Sequence, residues 1–339
     1  MRIGLTYNAK PVDQLEPGEQ FAEFDDIKTI HTIRDAIASA GHEVILIEAD
    51  DDAPYRLIKH RPDFVFNIAE GMYGESRESH TPALLESLRI PFSGSGVKVQ
   101  ANVLNKHTTK MLLRAYDIPT PAFRLVRTKE EPFRNNLKYP LMVKPNGEGS
   151  SVGITNDSKV TNGEQLKRQI ARIIDRYHQP VLIEEFLEGR EFTVSILGNE
   201  SPLVLPIVEI DFNGLPPGIN RYDSFEVKWD YDSPGKDIIK VICPAEVDST
   251  LEEKIRNVSL KTYRALECLD FCRIDLRLDE KGIPNVFEVN AIPGLIPDPK
   301  ENSRFPKACY AAGMTYDQMI LAILNTGLKR YNLPTTSLP

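Results

Sequence analysis

The chain has 339 residues, 41% hydrophobic and 27% charged, a globular composition that excludes disorder, collagen and coiled coil. At roughly 150 residues per domain, two or three domains are expected. A net charge of −8, a pI near 5.4 and the lack of a long basic run argue against nucleic acid as a partner. No apolar run approaches the ~18 residues that cross a bilayer, and the N-terminus lacks the basic and apolar regions of a secretory signal. No membrane partner is expected. Cys243, Cys268, Cys272 and Cys309 form no CxxC pair and no zinc-site spacing, which suits buried thiols in a reduced, cytoplasmic protein.

Residues 1–95 alternate strand and helix. MRIGLTYN reads as an apolar strand. Asp25-Asp26 cap a helix carrying Ile27, Ile30, Ile33 and Ile37 at helical spacing, and Gly41 ends it. HEVILIE and PDFVFNIAEG are the next strands, Thr81-Pro82 opens a short helix, and IPFSGSG closes the segment as a strand running into glycines. This order predicts a parallel sheet covered on both faces. Ligands sit beyond the carboxyl ends of such strands, near Tyr7–Lys10 and Ile68–Glu78.

Residues 96–185 predict a small α+β unit of antiparallel character. A helix spans roughly 102–116 and stops before Pro119. The strand YPLMVKP leads into NGEGSSVG, the strand ITND follows, then a helix with Leu166, Ile170, Ile173, Ile174 and Tyr177 on one face, then the strand PVLIEEFL. Residues 186–339 begin with the strands EFTVSILG and LVLPIVEI and a polar loop over 211–240, long enough to be functional. Ser249-x-x-Glu252 is a capping box opening a helix to about Glu267. FCRIDLRLD and PNVFEVNAIPG form a hairpin, and a last helix carries Met319, Ile320, Ile323 and Leu324.

The strongest constellation lies in that hairpin. Arg273 and Asp275 share one strand face, as do Glu288 and Asn290. A turn near 281–282 sets position 275 opposite 288. Two carboxylates and an amide oxygen then converge, a hard-oxygen set suited to Mg²⁺ with substrate phosphates; alternating polar residues on a solvated hairpin are the plainer reading. Lys144 precedes a glycine loop whose N–H groups and hydroxyls can cradle phosphate oxygens, although a hairpin turn reads as well. Glu184, Glu185, Phe186, Leu187 and Glu191 can meet an adenine edge and ribose hydroxyls, but alone they are a strand and a charged turn. Lys106 sits on a helix, where lysines are mostly solvated. Lys228 and Trp229, the single tryptophan, lie in the long loop, as expected of a lid that closes over ligand.

Taken in order, GSG (94–96), NK (105–106), VKPNGEGSSVG (143–153), IEEFLEGREFTVSILG (183–198), EVKW (226–229), CRIDLRLD (272–279), EVNAIPG (288–294) and FPKACYAAGM (305–314) resemble the D-alanine–D-alanine ligases of the ATP-grasp superfamily. The resemblance implies a three-domain ATP-grasp fold: an N-terminal parallel α/β domain (1–95), a central small α+β domain (96–185) and a C-terminal α+β domain (186–339), with ATP between the last two. It implies that ATP phosphorylates a substrate carboxylate, that an amine attacks the acyl phosphate, and a peptidoglycan setting. Carried over by position, Lys106, Lys144 and Ser151 hold ATP phosphates, and Glu184, Glu185, Phe186, Leu187 and Glu191 surround adenosine. Asp275, Glu288 and Asn290 bind Mg²⁺ (or Mn²⁺), Arg273 and the Gly294 backbone stabilise the oxyanion, Ser150 and Ser303 contact substrate, and Lys228 belongs to the closing loop. Amino acids or peptides are the expected substrates, and a homodimer is an open option.

The departures touch substrate. The family's first loop, with a Glu for the substrate amino group, reads YNAKPVD here, leaving Glu23 as a stand-in. The usual His is replaced within Ala69-Glu70-Gly71, the lid tyrosine is Trp229, and the segment before Ser303 is longer. D-alanine leads as substrate; another amino acid or peptide is the alternative. A carboxylate at Glu70 favours an ammonium and opposes an acidic substrate, since unit charges ~4 Å apart interact by about 4 kcal/mol at an effective dielectric near 20. The bland alternative is that Glu70 pairs with Arg77. Of other classes, a silent ATP-binding module is disfavoured by the intact Arg273, Asp275, Glu288 and Asn290. A nicotinamide dehydrogenase is disfavoured because no GxGxxG follows the first strand.

Overall fold

A computed structural model of the chain describes residues 1–11, 19–131, 136–232, 236 and 238–336. Val12 and Asp13 of the first loop, and residues 233–235 and 237 of the expected lid, lie outside the described residues.

The N-terminal strands β1 (Arg2–Tyr7), β2 (Glu43–Glu48) and β3 (Phe64–Asn67) form a parallel sheet in the order β2-β1-β3. Helix α1 (Ile27–Ser39) buries Ile30, Ile33 and Ile37 with Ile3, Leu5, Phe64 and Phe66. Its N-cap is Asp26, whose carboxylate accepts from the Thr29 N–H. The other sheet face packs Ile47 and Val65 on α2 (Ala53–His60), which sequence reading missed, and α3 (His80–Leu88). IPFSGSG is not a strand: only Phe92 bridges to Val65, after which Gly94 turns at φ +86° and donates its N–H to Asp270.

The helix expected over 102–116 is two, α4 (Val97–Leu104) and α5 (Lys106–Ala115). Asn105 breaks them by adopting extended backbone, and its side chain caps α5 at the Thr108 N–H. Strands β4 (Phe123–Val126), β5 (Leu141–Pro145), β6 (Lys159–Val160) and β7 (Val181–Glu185) form an antiparallel sheet ordered β4-β7-β5-β6, with α6 (Gly163–Tyr177) packed on it. ITND is no strand. After the glycine loop the chain makes a 3₁₀ turn over Asn156–Ser158 before reaching β6.

The remaining strands, β8 (Glu191–Leu197), β9 (Leu203–Val204), β10 (Val208–Asp211), β11 (Lys240–Ile242), β12 (Phe271–Leu278) and β13 (Pro284–Asn290), form a six-stranded antiparallel sheet. LVLPIVEI is split into β9 and β10 around Pro206, which has no N–H for a ladder. Helix α7 (Ser249–Ala265) covers one face, where Val99, Val103 and Leu113 of α4 and α5 join its core. The cap of α7 is Asp248, which accepts from the Leu251 N–H, rather than Ser249. On the other face α8 (Arg304–Ala311) and α9 (Tyr316–Arg330) share a core with the N-terminal sheet. Among the described residues no helix is long and apolar enough to cross a membrane.

Candidate active site

One cavity of about 330 Å³ is lined by every candidate site residue named from the sequence, drawn from the two antiparallel sheets and from the segments that follow β1 and β3. Its floor is the β12–β13 hairpin, where Arg273 pairs with Asn290 and Asp275 with Glu288 in the expected register. Ile274 and Leu276 point into the core, which leaves Arg273 and Asp275 on the cavity face. Asp275 accepts from Arg273 Nε and Nη2 (3.0 Å each), Thr193 Oγ1 (2.5 Å) and Asn290 Nδ2 (3.0 Å). The Asn290 amide nitrogen thereby faces Asp275, leaving its oxygen as the donor for a cation. Glu288 meets Lys106, the first residue of α5, at 2.8 Å. Burial opposes ionisation of Glu288, but Lys106, Lys144 and Arg273 outweigh it and hold its carboxyl at about 2.

On the central sheet Lys144 Nζ lies 2.7 Å from Glu184 Oε1, and Lys110 Nζ lies 2.6 Å from Glu184 Oε2. All three side chains are buried. Burial pushes the Lys110 ammonium down to about 8 against the pull of Glu184. At the cavity's far end the Phe186 ring sits under Arg277 (4.6 Å) and Lys159 (4.4 Å), and edge-on to Tyr222. Glu191 is 3.2 Å from Arg277, yet burial raises its carboxyl to about 7. Leu187 and Glu185 complete this wall.

The glycine loop is shaped by left-handed residues: Ser150 (φ +45°), Ser151 (φ +61°) and Gly153 (φ +76°). The Val152 and Ile154 N–H groups bond inside the loop, to the carbonyls of Gly149 and Ser151, so fewer amides face the cavity than the sequence suggests. Ser151 Oγ donates to the Asp223 carbonyl at 2.7 Å. That bond begins a latch between this loop and the expected lid. The Phe225 N–H reaches the Ile154 carbonyl (2.8 Å), Tyr222 Oη donates to the Thr155 and Asn156 carbonyls (2.7 and 2.9 Å), and the Asn220 N–H reaches Asn156 Oδ1 (2.7 Å). Val227–Tyr231 is a π-helical turn rather than loop, a form frequent at functional sites. Trp229 is 37% exposed, with Lys10 over its ring at 5.1 Å. Lys228 lines the cavity, and burial lowers its ammonium.

Ser303 Oγ donates to the Gly294 carbonyl (3.0 Å), fixing that backbone beside Arg273. Next to it stands Arg304, missed in the sequence, with Nη2 2.8 Å from Asp232 and 3.7 Å from Asp223. Its adjacency to Ser303 was the available signal.

At the opposite end Glu23, Glu70 and Glu78 gather, with a carboxylate oxygen of each within 4.8 Å of the others. The pairing of Glu70 with Arg77 is not found. Arg77 instead grips Glu23 (2.5 Å), donates to the Gly147 carbonyl (2.7 Å) and lies 3.6 Å from Glu148. The cause is chain geometry: Arg77 and Glu78 open the turn before α3, and Gly71 packs so tightly against the Arg77 backbone that a Cβ would collide with it. Glu23 in turn fills the space where a side chain on Gly149 would lie. Glu78 ends the Ile68–Glu78 stretch expected near a site but received no role of its own, because it sits outside any motif.

Comparison with known proteins follows the same outline. The family described as D-ala D-ala ligase C-terminus matches residues 112–325. A D-alanine–D-alanine ligase of Carboxydothermus hydrogenoformans is 33% identical over 312 residues, 89% of this chain and 93% of that one. The chain belongs to the D-alanine–D-alanine ligase family. Members of this family are ATP-dependent ligases forming carbon–nitrogen bonds, and the chain is an enzyme of that type. An uncharacterized protein of Sinorhizobium fredii is 34% identical over 304 residues, covering 87% of this chain and 86% of that protein. The crystal structure of D-alanine–D-alanine ligase from Bacillus anthracis complexed with ATP matches with a TM-score of 0.73 at 27% identity, covering 98% of this chain and 99% of that one. The expected ATP-grasp architecture, one parallel and two antiparallel sheets, is thus found.

Proposed function

We propose that the enzyme joins a carboxylate to an amine through an acyl phosphate, with ATP held between the central unit (96–185) and the C-terminal unit (186–339). The observation that carries this reading is a single cavity with three differently charged regions: buried lysines and the Arg273 hairpin, an aromatic far wall, and an acidic end. A carboxylate is a poor electrophile until one oxygen leaves as phosphate, and phosphoryl transfer is governed by positioning and charge.

Lys106, Lys144 and Ser151 contact the phosphates, with Lys144 exchanging Glu184 for a phosphate oxygen. Phe186, Leu187, Glu184, Glu185 and Glu191 enclose the adenosine. Asp275, Glu288 and the free oxygen of Asn290 are a hard-oxygen donor set that fits Mg²⁺ or Mn²⁺. When bound there, the ion neutralises phosphate charge. Arg273 and the Gly294 backbone face the tetrahedral oxyanion. Ser150 and Ser303 orient substrate, and Lys228 and Trp229 close over it. Glu23 and Glu70 take the ammonium of the first amino acid.

Family membership points to D-alanine, with a product that enters cell-wall precursors. A ligase for a different amino acid is the second reading, favoured by the acidic end of the cavity. Phosphate release screened across D- and L-amino acids, with mass detection of product, tests both. ATP-dependent formation of an amide is the expected result. ATP hydrolysis without coupled product, or no hydrolysis with any amino acid, refutes the ligase reading.

A further inference from the structure

Of the three carboxylates at the acidic end, only Glu23 has a cation within ion-pair distance among the described residues. Glu70 and Glu78 accept no hydrogen bond from any described residue. Glu78 is 9% exposed, and its remaining surface opens on the cavity. A buried carboxylate is normally hydrogen-bonded or paired, so one left unpartnered asks for a missing partner. The surroundings do not supply it. Arg77 is spent on Glu23 and Glu148, Lys106 is committed to Glu288, and Asp25 adds a further acid from the first loop. Burial pushes both carboxyls up, Glu78 to about 8.

Resting on the ligase reading above, the geometry points to a first substrate with two ammonium groups: a short diamino acid rather than alanine, with Glu78 and Glu70 reading the second ammonium. An α-ammonium brings one positive charge to Glu70 and Glu78, the two carboxylates that Arg77 leaves without a cation. One of the two then stays uncompensated. A second ammonium completes the site. The oxygens lie within 4.8 Å of one another, so both ammonium groups of a compact diamino acid reach them together. Glu78 also lies close enough to Lys106 and Glu288 to feel their charges. The substrate carboxylate is thereby directed toward the Arg273–Glu288 end, where phosphorylation takes place. No covalent step is added to the ligase reaction; the inference concerns which carboxylate enters it.

The test compares 2,3-diaminopropionate, 2,4-diaminobutyrate, ornithine, lysine and alanine, each as D and L forms, with the wild-type enzyme and with Glu78→Gln. Both kcat/KM for phosphate release and calorimetric Kd in the presence of a non-hydrolysable ATP analogue are read. A diamino acid is expected to exceed alanine by about tenfold or more in both, the scale of one charge-assisted hydrogen bond, with Glu78→Gln removing most of that ratio. Preference for alanine in the wild type overturns the inference. So does a ratio unmoved by Glu78→Gln, or a variant whose sole change is its Mg²⁺ requirement, which would assign the cluster to a divalent cation. If no amino acid supports turnover, the ligase reading fails, while the binding ratio still decides whether the acidic end reads two ammonium groups. Unaltered binding of the ATP analogue by Glu78→Gln shows that the variant is folded.

Discussion

Lys106 and Glu288 meet at 2.8 Å, one at the first position of a helix and the other on the final strand of the large sheet. The same lysine donates to the Glu148 carbonyl of the glycine loop. One ammonium therefore joins the glycine loop to the proposed metal-binding hairpin.

Glu288→Gln is expected to abolish turnover at ordinary Mg²⁺ while leaving the fold intact, because a neutral amide is a weaker ligand for a hard cation. The Glu288 carboxyl is held at about 2 against an ordinary 4.5. Its contribution to stability is therefore present above about pH 4.5 and is lost as pH falls toward 2. That contribution is on the order of 3 kcal/mol. Thermal melts from pH 2 to 7 should show an acid limb that is shallower in the variant, and wild-type turnover by the variant would sink the metal assignment.

Glu184 lies between two lysines, and breaking such a buried network by removing one partner costs roughly 3–5 kcal/mol. Lys110→Met should lower the melting temperature and also raise the KM for ATP, because Glu184 is then left with Lys144 alone and holds it back from phosphate. A drop in stability with no change in KM would make Lys110 purely structural and Lys144 no phosphate ligand.

Tyr222 fastens the proposed lid to the glycine loop through the Thr155 and Asn156 carbonyls. Tyr222→Phe should increase proteolysis within 212–232, and nucleotide with substrate should reverse part of that effect. The Trp229 emission of the wild type should shift on the same addition, since the residue is 37% exposed. Constant emission and constant cleavage at saturating nucleotide would exclude closure.

How much of this was legible beforehand depended on whether the signal was local. The Asp275–Glu288 register followed from a period of two and a turn at Gly282, which adopts φ +70°. The parallel sheet followed from strand–helix order. Asn105 hid a helix break because its neighbours on both sides favour helix, although its side chain, capping the Thr108 N–H, is itself a helix-start signal. Pro206 was visible but was read through. The bland alternative paired Arg77 with nearby Glu70, whereas its partners Glu23, Gly147 and Glu148 come from distant segments. Arg304 was missed, and Glu78 was placed near the site without a role, for the same reason: their importance lies in what the fold brings beside them.

Glu78 gives a final test that needs no substrate. Its carboxyl rises from 4.5 to about 8, chiefly through burial and then through the Glu23 charge, while Arg77 and Lys106 pull the other way. The folded chain therefore keeps this proton through neutral pH, whereas the unfolded chain releases it near 4.5. Between those values the native state binds more protons, so stability falls as pH rises from about 4.5 to about 8. A glutamine is neutral throughout and removes that slope. Glu78→Gln should match the wild type near pH 4 and become progressively more stable above it. The gain should level off beyond pH 8, at up to roughly 3–5 kcal/mol if the whole shift is expressed. Urea denaturation at pH 4, 6 and 8.5 measures it. Parallel stability curves for the two proteins would show that Glu78 already has a charge partner, and that its carboxylate is not waiting for a ligand.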